Sequence, residues 1–87
     1  MKLIIAILQD NDADTVTQAL TAAEFRVTRI ASTGGFLRRG VVTLLIGLEE
    51  EREDAAIQVM RDNTTHVDGE ENKATVFVLP VNKFTQV

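Results

Sequence analysis

The sequence predicts an α+β fold in which two βαβ units pair as a four-stranded antiparallel sheet with two helices on one face. Strand-like apolar stretches occur at 2–8, 26–32, 41–48 and 74–79. Apolar residues at helical spacing follow the first and third of these. The connection between the halves, Gly34–Gly40, is short and bounded by glycine. The resulting order βαββαβ is the ferredoxin-like arrangement. No linker or low-complexity tract interrupts the chain, so 1–87 is read as a single domain. A domain this size buries only ~60–65% of the surface its unfolded chain exposes.

The first strand is carried by Leu3-Ile4-Ile5-Ala6-Ile7-Leu8. Asp10-Asn11-Asp12 reads as a turn with Asp12 as N-cap, followed by a helix over 13–23 with Val16, Ala19, Leu20 and Ala23 on one face. On the second strand Arg26, Thr28, Ile30 and Ser32 share one side, which sends Arg29 to the other as a structural residue. Val41–Leu48 is the third strand. The acidic run 49–54 opens a second helix to about Asp62, its carboxylates favoured there by the helix dipole, with Ala56, Ile57 and Met60 buried. A polar connection, Asn63–Lys73, leads to the last strand, which Pro80 ends.

Strands one, three and four (LIIAIL, VVTLLIGL, ATVFVLPV) are nearly continuous apolar runs. A sheet with one wet face alternates, so these strands expect cover on both faces. The helices supply one layer and nothing in the chain supplies a second. Other copies of the chain are therefore expected to cover it, placing ligand clefts between subunits.

Charge narrows the choice of ligand. Residues 25–48 hold Arg26, Arg29, Arg38 and Arg39 with no Asp or Glu, in a chain of net charge -4. Such an acidic protein lacks the extended basic footprint that a nucleic-acid polymer demands. A local basic stretch around Gly34-Gly35-Phe36 instead suits a small anion, offering backbone N–H groups, an aromatic face and guanidinium charge. No apolar run approaches the ~18–20 residues of a membrane span. The absence of a secretory pattern and of cysteine leads to the expectation of a cytoplasmic protein.

Other motifs have plainer explanations. Gly34 and Gly40 mimic the glycine spacing of a phosphate-binding loop, yet no Lys-Ser/Thr follows and the context is strand to strand. Asp10, Asp12 and Asp14 lack the glycine and later glutamate of a calcium loop. His66 lies alone in a polar connection, so no metal site is expected. With no cysteine or tyrosine and this one histidine, an enzyme on this fold would lack an activated nucleophile or acid–base pair, and the chain is read as non-enzymatic.

Several segments together resemble the PII-like cyclic-di-AMP receptors. They are the opening Met1–Asp10, Phe25-Arg26-Val27-Thr28, Ala31-Ser32-Thr33-Gly34-Gly35-Phe36-Leu37, Ile46-Gly47-Leu48-Glu49, Ala74–Val81 and the Phe84 tail. The resemblance implies a homotrimer with one cyclic dinucleotide in each of three inter-subunit clefts. By position it implies ligand contacts from Arg26, Thr28, Gly35, Phe36, Leu37, position 41, Gly47 and Gln86. Phe36 would stack on a purine, the glycines would admit backbone donors close to the ligand, and Arg26 would reach phosphate or a base edge. Position 41, where the family commonly has Asn, is Val41 here, and the usually long loop before the last strand is reduced to Asn63–Lys73.

The expected function is therefore a signal-transduction receptor for cyclic-di-AMP, with no cofactor, acting on a downstream protein of unknown identity. The alternative is a PII-like protein that binds ATP or AMP, or that acts through protein contacts alone.

Overall fold

The computed structural model describes residues 1–31, 40–64 and 74–87. The elements are β1 (Lys2–Gln9), α1 (Asp10–Ala22), β2 (Arg26–Ala31), β3 (Val41–Leu48), a 3-10 turn (Glu50–Arg52), α2 (Glu53–Asn63) and β4 (Ala74–Pro80). All strand pairs are antiparallel and the sheet order is β2-β3-β1-β4, the expected ferredoxin-like order. Among the described residues no helix is long and apolar enough to cross a membrane.

Every second residue of β1 and β3 faces the helices. Ile4, Ala6 and Leu8 of β1 and Val42, Leu44, Ile46 and Leu48 of β3 are buried against Ala13, Val16 and Leu20 of α1 and Ala56 and Met60 of α2. Ile57, expected in the buried stripe of α2, packs only partly against this core.

α1 begins earlier than the sequence predicts. Asp12 is not its N-cap but lies in its first turn, buried at 5% exposure. Gln9 is the N-cap, with extended dihedrals (φ -68°, ψ 143°), so β1 runs into the helix with no intervening turn. The amide of Asp10, one of the donors a helix start leaves without an internal partner, donates to the Gly40 carbonyl at 2.7 Å. Gly40 itself has φ +82°, a left-handed conformation suited to glycine. Arg29 reaches back to this helix start from the helix-facing side of β2, pairing with Asp14 at 2.5 Å and Asp10 at 3.5 Å. Its predicted separation from Arg26 is thus realised. β2 is described only to Ala31, and the acidic run after β3 first makes the 3-10 turn Glu50–Arg52, after which Glu53 and Asp54 open α2 as expected.

The end of α1 is a Schellman motif. Phe25 N–H donates to Leu20 O and Glu24 N–H to Thr21 O, both at 3.0 Å, and the Phe25 and Leu20 side chains are buried together in the core. The geometry forces Glu24 to φ +68°. A non-glycine residue pays about 1 kcal/mol there. Glu24→Gly is expected to stabilise the protein by ~0.5–1 kcal/mol, less than the full strain because glycine is freer when unfolded. Thermal unfolding should rise by roughly 3–6 °C; an unchanged or lower midpoint would contradict the strained turn.

Among the described residues no helix covers the second face of the sheet, which carries the rows Thr75-Ile7-Thr43-Ile30, Phe77-Ile5-Leu45-Thr28 and Leu79-Leu3-Gly47-Arg26, with Thr43 buried. Phe77, Leu79 and Ile30 remain 50%, 44% and 43% exposed. The apolar surplus read from the strand sequences lies on this face.

Candidate functional site

The third row ends in a cleft. Period-two alternation puts Arg26 and Thr28 of β2 on the bare face, and the ladder sets Arg26 opposite Gly47 and Thr28 opposite Leu45 on β3. Beyond β4 the chain stays close, because Val81 N–H donates to the Met1 carbonyl at 3.0 Å. The following tail then brings Phe84 and Gln86 to the same corner. These residues, with Met1, Lys2, Leu3 and Val81, line a cleft of about 530 Å³.

The lining includes the basic residues Lys2 and Arg26 and no Asp or Glu, and Arg26 is the one whose place in the ladder puts it on this face. The Lys2 ammonium is 3.9 Å from Glu50. Arg26 is exposed and has no ion pair among the described residues, leaving its guanidinium fork available to an anion. Gly47 forms an open floor between Arg26 and Leu3, and a Cβ added there would meet only the Met1 Cε, at 3.6 Å. Leu3, Leu45 and Phe84 make the rest largely apolar. A positively charged fork beside an apolar, partly aromatic wall suits a ligand with both a flat ring system and an anionic group.

Of the residues implicated by sequence, Arg26, Thr28, Gly47 and Gln86 come together here. Val41 does not. It begins β3 opposite Gln9, six positions and so about 20 Å of strand from Gly47. Gly35, Phe36 and Leu37 lie outside the described residues, as do Arg38, Arg39 and His66. Sequence reasoning missed Met1, Lys2, Leu3, Leu45, Val81 and Phe84. Leu45 and Leu3 carried a signal, since strand alternation and pairing put them beside Gly47. Phe84 and Val81 carried none, because they reach the cleft through the path of an irregular tail.

Comparison with known proteins agrees with this architecture. The chain is similar over its whole length to the crystal structure of a functionally unknown protein from Pediococcus pentosaceus ATCC 25745, with 34% identity and a TM-score of 0.81, covering 99% of this chain and 96% of that one. Residues 1–70 match the family model described as cyclic-di-AMP receptor. The matched stretch includes Arg26, Thr28, Gly35, Phe36, Leu37, Val41 and Gly47, and ends before β4 and the tail that carries Gln86. With the fold shared across the chain and the family model covering most of it, this protein belongs to the cyclic-di-AMP receptor family.

Proposed function

We propose that the protein is a non-enzymatic receptor that binds cyclic-di-AMP in clefts between the subunits of a homotrimer. The observation that carries this reading is the cleft itself, which gathers Arg26, Thr28, Gly47 and Gln86 at one corner of the sheet. Arg26 would take a phosphate or a base edge, Thr28 would add a hydroxyl on the same side, and Gly47 would let the ligand lie against the backbone. Gln86 offers an amide that can both donate to and accept from a base edge.

The bare sheet face supports assembly. The two groups of implicated residues support a shared ligand. Arg26 pairs with Gly47 at one end of the β2–β3 ladder, while the segment holding Gly35, Phe36 and Leu37 is rooted at the other, where Ala31 pairs with Val42. Five residues of strand, about 17 Å, separate these ends. A ligand touched by both groups is most simply held between two copies, one supplying the cleft and the other the segment around Phe36.

Calorimetric titration with cyclic-di-AMP, cyclic-di-GMP and ATP tests the reading. Sub-micromolar to low-micromolar affinity for cyclic-di-AMP, well above the other two, is expected. A second reading, in which the ligand is ATP or AMP or the protein works by protein contact alone, is favoured by Val41, whose side chain cannot hydrogen-bond a base. Equal affinity for ATP in the same titration would select it.

A further inference from the structure

We propose that Arg52 is a positioning residue for the cleft, holding the start of β2 so that Arg26 meets the ligand in a fixed place. The proposal rests on the reading of the cleft as the nucleotide site. Arg52 ends the 3-10 turn, on the helical side of the sheet and outside the cleft lining. Its Nη2 donates to the Ala23 carbonyl at 2.8 Å and its Nη1 to the Glu24 carbonyl at 3.4 Å. The guanidinium sits over the Phe25 ring, 4.0 Å from the centroid. Three consecutive residues are thus gripped by one side chain, and the next residue is Arg26.

This grip falls where the backbone most needs it. Glu24 is in a left-handed conformation, and the chain reverses there from α1 into β2. Phe25 is buried at 5% exposure, so the ring under Arg52 is itself fixed by the core. Arg26, by contrast, is exposed and without an ion pair among the described residues. Among the described residues no hydrogen bond or ion pair anchors its side chain; its backbone is placed by the ladder to Gly47 and by the turn that Arg52 holds.

The same short turn also approaches β1. Glu50 lies 3.9 Å from Lys2 at the start of β1, and the turn follows directly on β3, which carries Gly47. The cleft end of β2 is therefore held by Arg52 and that of β3 is continuous with the turn, while β1 meets it only through this exposed ion pair. A ligand binding there meets a preorganised rim and loses less free energy in ordering it. Without Arg52 the carbonyls of Ala23 and Glu24 turn to water, and binding must also immobilise the first residues of β2.

The test is a double-mutant cycle on the full chain, read by calorimetry with cyclic-di-AMP and by amide hydrogen exchange without ligand. Arg52→Ala is expected to weaken binding about five- to tenfold, and Arg52→Lys, which keeps a donor but not the planar fork, to recover part of the loss. Combined with Arg26→Ala, the Arg52→Ala change should add little further, because its effect passes through Arg26. Exchange should quicken at residues 24–28 while the centres of α1 and β1 stay protected. Losses that multiply in the double variant, or a folded Arg52→Ala protein that binds like the parent, overturn the proposal. If the parent itself fails to bind cyclic-di-AMP, the functional reading falls, and exchange alone decides: local quickening at 24–28 retains the positioning role, while uniform or unchanged exchange removes it.

Discussion

Gly47→Leu is expected to abolish cyclic-di-AMP binding, weakening it at least ~100-fold, or about 2.7 kcal/mol, in a protein that still folds. Gly47 is exposed on the bare face, between Arg26 and Leu3, and lines the cleft. A first side-chain atom fits, since among the described residues it meets the flexible end of Met1, at 3.6 Å. The remaining atoms of leucine must then project into the space assigned to ligand. Stability should hold or improve slightly, because glycine within a strand is conformationally costly and leucine is not. Calorimetry with circular dichroism as control checks both halves. Retained affinity in the folded variant would put the ligand elsewhere.

Phe77→Glu is expected to convert the proposed trimer into folded monomers. Phe77 stands beside Ile5 and Leu45 in the middle row of the bare face and is 50% exposed in the single chain, so a lone subunit can keep a carboxylate there in water. At an interface that covers this row the same carboxylate loses its hydration, at a cost of several kcal/mol for each copy buried without a partner. The lost apolar contact adds roughly 1–2 kcal/mol per subunit. Sedimentation velocity should show the parent at three times the mass of the variant, with an unchanged helix and strand content. Cyclic-di-AMP binding should fall with assembly, since each cleft would be missing the residues of its neighbour. A variant that remains trimeric would show that another surface makes the contact.

Much of this was legible in the residues because period and partner agree. The β3 sequence Val41–Leu48 is a nearly continuous apolar run paired with a strand of matching length, and its limits are those the run gives. Arg26 and Thr28 sit two apart on a strand, so their common face follows from the pleat alone. The start of α1 was not legible. Asp10-Asn11-Asp12 has the composition of a turn, and only the tertiary bond from Asp10 to the Gly40 carbonyl shows that the helix begins there. The left-handed Glu24 was equally hidden, because glutamate is not a residue that announces such a conformation. For the cleft, strand geometry gave one wall, while the wall made by Val81, Phe84 and Gln86 depends on where an irregular tail lies down. Val41 shows the limit of reading a site as a set. It was grouped with Gly47, yet the two are at opposite ends of one strand.

On the proposed function, a purine dinucleotide with two phosphates is held by the corner of the sheet around Arg26 and Gly47. Isothermal titration of the purified full chain with cyclic-di-AMP tests it most directly. One ligand per chain, three per proposed trimer, is expected at sub-micromolar to low-micromolar Kd, with ATP and cyclic-di-GMP far weaker. Heats that stay flat to millimolar cyclic-di-AMP, or an ATP isotherm as tight as that of the dinucleotide, would contradict it.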